Sequence, residues 1–271
     1  MSKDLFKELV DVIATLRSEN GCPWDREQTH ETLKSTLIEE TYETVEAIDA
    51  ADPKKLEEEL GDLLLNIMLQ AQIAAEHKDF DIHGVIETLT EKLIRRHPHV
   101  FGDVDVEDSD EVVKNWEAIK RQEAGYEDRE SVLDGIPNAL PMLLRAQKIQ
   151  NRAARVGFDW DELTDVVAKV EEELEEVKVS ITADEPEATA MELGDLLFAI
   201  VNLCRFMEIQ AEETLRQANR KFIQRFKWME AELERRGTNF EAQNLESLDT
   251  IWEAAKKAEV DIDKFYLHVN L

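Results

Sequence analysis

The feature that most constrains this chain is a pattern of carboxylates that occurs twice in one register. The second half reads Glu172-Glu173-Leu174-Glu175-Glu176, then a short break containing Pro186, then Glu192-Leu193-Gly194-Asp195. The first half carries Glu40, Glu43, Pro53, Glu59 and Asp62, and adding 133 to each gives Glu173, Glu176, Pro186, Glu192 and Asp195. Five positions in one unbroken register mark a tandem duplication, which sets the architecture before any weaker signal is weighed. Further matches lie at nearby offsets. The stretch Glu91-Lys92-Leu93-Ile94-Arg95-Arg96 pairs with Arg220-Lys221-Phe222-Ile223-Gln224-Arg225. Asn115-Trp116-Glu117-Ala118 pairs with Ile251-Trp252-Glu253-Ala254, and Gly21-Cys22-Pro23-Trp24-Asp25 is a relative of Gly157-Phe158-Asp159-Trp160-Asp161.

As helix, Glu173 and Glu176 share a face, and so do Glu192 and Asp195, because residues three apart are neighbours on a helix surface. Pro186 fits the first turn of the second helix, where a missing N–H costs nothing. The connection around Thr182–Glu185 is short, which favours antiparallel neighbours. Four carboxylates then meet across the helix pair. Like charges this close repel, and a site that gathers them holds a cation. The donors are all hard oxygens, so Mg2+ is the expected ion, with Mn2+ as the alternative. An EEELEE run by itself reads as a solvated helix face. Against that reading stand the apolar run Leu196-Leu197-Phe198-Ala199-Ile200-Val201 directly after the second pair, and the repetition of the whole pattern.

A chain of 271 residues accommodates two domains of ordinary size. Gly and Pro are scarce, at 9 and 6, and β-branched runs are few, so the expected fold is all-α: two tandem homologous helical-bundle units. The formal net charge of −29 excludes general binding to nucleic acid or to anionic membranes. Cys22 and Cys204 occupy non-equivalent settings, so no disulfide framework is expected and the cytoplasm is the default compartment. Asp4, Lys7 and Glu8 interrupt the N-terminal stretch, leaving no legible signal peptide, and the longest apolar run, Leu63–Leu69, is too short to span a bilayer.

Helical spacing predicts helices over 4–18, 30–50, 53–77, 82–97, 111–123, 139–154, 161–181, 186–208, 211–236 and 246–258. Residues 60–75 are apolar over most of the perimeter, which requires a bundle core or a subunit interface. Residues 18–27 read as a loop around Gly21 and Pro23, with Trp24 as a packing plug. His97 and His99 flank Pro98 and read as structural or capping groups. The stretch 124–136 has no periodicity and contains Gly125 and Asp134-Gly135, so it reads as a linker between an N-terminal unit, 1–123, and a C-terminal unit, 137–271. Gly237 is placed to cap the helix before it.

The paired motifs Glu40-x-x-Glu43 … Glu59-x-x-Asp62 and Glu173-x-x-Glu176 … Glu192-x-x-Asp195 resemble the EExxE…ExxD signature of the MazG nucleoside triphosphate pyrophosphohydrolases. The resemblance extends to Gly21–Asp25, Arg95–Phe101, Arg145–Gln150 and Gly157–Trp160, and covers nearly the whole chain in the two-domain bacterial form. It implies an all-α, dimeric, Mg2+-dependent enzyme that hydrolyses NTPs to NMP and pyrophosphate. It also implies metal ligation by Glu173, Glu176, Glu192 and Asp195, with Glu172 or Glu173 as the base that takes a proton from water. The implied nucleotide contacts are Lys169, Lys221, Arg225 and Trp252, with Asn202 and Asn219 as weaker polar candidates. Lys169 lies one turn before Glu173, so it reaches either a phosphate or Glu173 itself.

The resemblance makes the C-terminal unit the catalytic one and the N-terminal unit mainly structural. The first half has Thr36 where the second has Lys169, although Lys92 and Arg96 match Lys221 and Arg225. Glu40, Glu43, Glu59 and Asp62 are then a vestigial second metal site. Two other classes compete. An acidic helical scaffold without activity would leave the acid runs solvated. A carboxylate-bridged di-iron bundle would want Glu-x-x-His pairs, and no His stands at the second positions here.

Overall fold

The structure is a computed structural model that describes residues 4–121, 123 and 130–266. Every regular element among the described residues is helical, with no strand. They divide into two compact units, Met1–Glu127 and Asp128–Leu271. The first contains α1 (Leu5–Leu16), α2 (Pro23–Glu27), α3 (Leu33–Asp49), α4 (Pro53–His77), α5 (Ile82–Arg96), α6 (Pro98–Phe101) and α7 (Ser109–Arg121). The second contains α8 (Met142–Ala154), α9 (Leu163–Thr182), α10 (Pro186–Phe206), α11 (Ala211–Arg235), a 3-10 turn at Phe240–Ala242 and α12 (Leu245–Tyr266).

In each unit the two acid-bearing helices form an antiparallel hairpin, α3 with α4 and α9 with α10. The duplication is visible in the backbone of the turns. Ala50, Ala51 and Asp52 donate their N–H groups to the carbonyls of Glu46, Ile48 and Ala47. Ala183, Asp184 and Glu185 donate to Val179, Ile181 and Ser180, the same three bonds shifted by 133. The central residue is left-handed in both, Ala51 at φ 49° and Asp184 at φ 57°. Pro53 and Pro186 then open the next helix at N1, and in the first unit the Asp52 side chain also accepts from the N–H groups of Lys54 and Lys55.

The first unit closes around Ile13, Leu33, Met68, Leu69, Ile73 and Ile82, with Leu9, Leu16 and Val85 packed against them. The second unit has a core at the α11–α12 pair, where Met229, Leu233, Ile251 and Ala255 are buried beside Trp228, Phe240 and Trp252. Two buried glutamines of α8 fasten α10 and α11. Gln147 Nε2 donates to Ile209 O at 2.7 Å while its Oε1 accepts from Ala211 N at 3.0 Å, and Gln150 Nε2 donates to Phe198 O at 2.8 Å. Both sit in the Arg145–Gln150 motif, whose conspicuous amides therefore serve packing.

Arginines tie down the two related loops. Arg17 donates to the carbonyls of Asp25 and Gln28 and pairs with Glu76 of α4 at 2.8 Å. Gly21 is required there, because a Cβ would stand 2.2 Å from the Leu16 carbonyl oxygen. The loop expected over 18–27 contains the short helix α2, and Trp24 is not a packing plug: it is 60% exposed, since Arg17 anchors the segment through backbone carbonyls. Helix α8 starts at Met142, later than the spacing predicts, because Pro141 stands at its N-cap. Helix α12 runs past residue 258 to Tyr266, and residues 267–271 lie outside the described chain. Gly237 ends α11 at φ 68°, as expected of a cap.

Candidate active site

The α9–α10 hairpin brings Glu173, Glu192 and Asp195 together, each offering a carboxylate oxygen, all within 4.8 Å of one another. Glu173 is buried, Glu192 half-buried and Asp195 exposed, so the cluster runs from the helix interface to the surface. Glu176 stands at its margin. Desolvation of its carboxyl, and then the charges of Glu173 and Glu192, raise it above the usual carboxylate range. A cluster of this kind is poised to accept a cation, which removes the repulsion that the fold has concentrated.

Lys169 reaches across one turn to this cluster. Its Nζ lies 2.7 Å from Glu173 Oε1 and 2.9 Å from Glu172 Oε1, and the hydrogen bonds to Glu173 and then Glu172 hold the ammonium firmly protonated. Of the two roles open to Lys169 from spacing, the structure displays the pairing with Glu173. Glu172 is more than half exposed at the edge of the site.

The first unit gathers Glu40, Glu43 and Glu59 in the same way, again within 4.8 Å. Burial, and then Asp62, Glu43 and Glu59, raise the Glu40 carboxyl; burial, and then Glu43, raise that of Glu59. Here the structure corrects a premise of the sequence reading. The first cluster does have a lysine: Lys55 Nζ lies 3.8 Å from Glu59 Oε1. The cation has moved to the other helix of the hairpin, four residues before Glu59 as Lys169 is four before Glu173, and that spacing was legible in the sequence.

Lys221, Arg225 and Trp252 form a second group on α11 and α12. The Arg225 guanidinium lies over the Trp252 ring at 5.6 Å, and Phe222 meets the same ring at 5.2 Å. Trp252 is half-buried against the α11–α12 core, while Lys221 and Asn219 are exposed on α11. The first unit repeats the stack with Arg96 5.7 Å over Trp116. There Glu123 receives both Arg95 and Arg96, which pull its carboxyl down to about 2, the Arg96 bond contributing most. His97 packs edge-on against Trp116 at 5.1 Å and its Nδ1 meets Leu93 O, in keeping with a structural role. Asn202 lies farther along α10, bonded to Arg205. Sequence reasoning passed over Arg205, which acquires its meaning from Asp159, a partner that the fold supplies, and over Lys55, which its i,i+4 spacing to Glu59 could have found.

Two antiparallel helix pairs, each gathering carboxylates without imidazole or thiolate, define a tandem all-α protein with acidic clusters consistent with metal binding. Comparison with known proteins gives the same architecture a family. The MazG nucleotide pyrophosphohydrolase domain matches residues 28–101 and again 161–229. The chain is 50% identical over 252 residues to the nucleoside triphosphate pyrophosphohydrolase/pyrophosphatase MazG of Thermotoga maritima, covering 93% of this chain and 96% of that protein. It is 44% identical over 257 residues to the nucleoside triphosphate pyrophosphohydrolase of Escherichia coli, covering 94% and 98%. The chain belongs to the MazG nucleotide pyrophosphohydrolase family. Among the described residues no helix is long and apolar enough to cross a membrane.

Proposed function

We propose that this chain hydrolyses nucleoside triphosphates to the monophosphate and pyrophosphate at the acidic cluster of its second unit. The observation that carries the reading is the convergence of Glu173, Glu192 and Asp195 within 4.8 Å, in a chain of this family. The donors are oxygens alone, which fits Mg2+, or Mn2+ in its place, and Glu176 completes the ligand set from the margin. A cation bound there would supply charge neutralisation of the phosphates and polarisation of the bond to be broken.

The side chains divide the remaining work. Lys169 fixes the Glu173 carboxylate and shields its charge from an incoming polyanion. With Glu173 committed to the cluster, Glu172 at the exposed edge is the carboxylate that takes the proton from water. Lys221 and Arg225 meet the phosphates, and Trp252 offers a ring face to the base.

The second unit, from the linker at 124–136 onward, is the catalytic one in this reading, and the first is mainly an assembly unit. The direct contact of Lys169 with Glu173 at 2.7 Å, against 3.8 Å between Lys55 and Glu59, supports it. A homodimer fits the apolar surface that each acid-bearing hairpin presents: Leu60, Leu64 and Ile67 on α4, and Leu193, Leu197 and Phe198 on α10.

The test is pyrophosphate release from NTPs with and without Mg2+. Glu176→Ala and Asp195→Ala are each expected to lower turnover by orders of magnitude with helicity unchanged. Orthophosphate and NDP as first products, or near-normal rates in both variants, would reject the assignment.

A further inference from the structure

The two acid-bearing hairpins differ at one crossing point. Adding 133 carries Thr36 to Lys169 and Asn66 to Ala199. In the first hairpin the Asp62 charge acts on Glu40 more than any other, and Leu33 and Leu69 share the core. Helices α3 and α4 are antiparallel, so Thr36, between Leu33 and Glu40, lies opposite Asn66, between Asp62 and Leu69. Lys169 and Ala199 are the matching pair in the second hairpin. A long cationic side chain faces a small one there, whereas both members are short and polar in the first.

Asn66 is 3% exposed, and its Nδ2 donates to the Asp62 carbonyl of its own helix at 3.1 Å. A backbone carbonyl only accepts, so the amide has one orientation: NH2 back toward α4, oxygen away from that backbone. The oxygen is buried and has no hydrogen-bond partner. Glu59, Asp62 and Asn66 follow one another by three and four residues, which puts the amide on the face of α4 that carries the acids and meets α3. A buried acceptor left without a donor calls for an occupant. In the second unit the Lys169 ammonium stands at the equivalent point, 2.7 Å from Glu173. In the first, Lys55 attends Glu59, and the charges felt most strongly by Glu40 are Asp62, Glu43, Glu59 and Glu39, all acidic. Where one copy has a donor of charge +1, the other has a carboxylate, an amide oxygen and a hydroxyl.

We propose that the seam formed by Thr36, Glu40 and Asn66 binds a free monovalent cation of ammonium size, K+ or NH4+, which takes the place of the Lys169 ammonium in the first unit. Two of its three oxygens are neutral, which suits a single positive charge. Carbonyl oxygens replace the hydration shell of K+, whereas Mg2+ keeps several waters and is held through carboxylates. The site is separate from the reaction proposed above and does not depend on it. It would fasten α3 to α4 at the point where α9 is held by its own lysine.

The experiment uses the full chain, with EDTA present to remove divalent ions. Crystals equilibrated with rubidium chloride, Rb+ being the probe for K+, are expected to show anomalous scattering between Asn66 Oδ1 and the Glu40 carboxylate. Amide hydrogen exchange of α3 and α4 is compared in KCl, NH4Cl, NaCl and N-methylglucamine chloride at one ionic strength, so that general screening cancels. Exchange is expected to be slower in K+ and NH4+ than in the other two salts. Asn66→Ala is expected to abolish the Rb+ signal and to raise the K+ concentration needed for half the protection by about tenfold or more. Thr36→Lys combined with Asn66→Ala copies the Lys169–Ala199 pair and is expected to exchange alike in all four salts. Equal exchange of the wild-type chain in the four salts, water alone at the seam, or a K+ response that survives in the double variant would overturn the proposal. So would a seam that ignores Rb+ and fills with Mg2+ or Ca2+ once EDTA is left out. Should the double variant fail to fold, the Rb+ signal and Asn66→Ala still decide the matter.

Discussion

Single residues show where the repeat is under strain and where its chemistry has drifted. Ala51 sits at φ 49° in the turn between α3 and α4, a conformation in which a Cβ crowds the following carbonyl. Ala51→Gly relieves that contact at some cost in chain entropy, and a net stabilisation of about 0.5–1 kcal/mol is expected. A urea unfolding midpoint measures it. The lysines make a second residue-level comparison. Lys169 touches Glu173 and Glu172 directly, whereas Lys55 stands 3.8 Å from Glu59. Lys169→Gln is expected to cut pyrophosphate release more than tenfold, because Glu173 then faces the other carboxylates and the substrate without its cation. Lys55→Gln is expected to leave the rate within about twofold. The reverse ranking would assign turnover to the first cluster.

At the scale of elements, the conspicuous residues turn out to be fasteners between helices. Gln147 and Gln150 join α8 to α10 and α11, and Arg17 joins the 22–28 segment to α4. Glu123 fastens the segment after α7 to Arg95 and Arg96 at the end of α5. Its carboxyl is lowered to about 2 from an ordinary 4.5, so the folded state binds that proton less readily than the unfolded chain. The contribution to stability is therefore fully present above about pH 4.5 and is lost as pH falls toward 2. Arg95 is half exposed, so solvent screens its share. Glu123→Gln is expected to lower the unfolding midpoint at pH 6, with the gap to wild type narrowing below pH 4.5 and closing near pH 2. A gap that does not change with pH would mean that the carboxylate's charge contributes nothing.

For the whole molecule, the two halves share a backbone plan but are expected to differ in work. The matched test is Glu43→Ala against Glu176→Ala on one NTP at saturating Mg2+. Loss of activity in Glu176→Ala alone is expected; equal losses would indicate two working sites, and loss in Glu43→Ala alone would reverse the assignment. The apolar residues exposed on α4 and α10 set a second expectation, a dimeric mass by light scattering at micromolar concentration. A monomeric mass there would leave those faces without the proposed cover.

The sequence by itself determined the helices, the duplication and the carboxylate register, because these are local or periodic: a helix places residues three apart on one face wherever it occurs. The start of α4 was legible because Asp52 and Pro53 signal it locally. Family membership was legible for the same reason, since its motifs are short and doubled. Only the tertiary structure decided which acids of each four converge and that Trp24 faces solvent. Only the fold also made Arg205 the partner of both Asp159 and Asn202, across 46 residues in one direction and a single helical turn in the other. Such pairings depend on how hairpin, loop and helix meet in space, and one-dimensional spacing carries no record of that meeting.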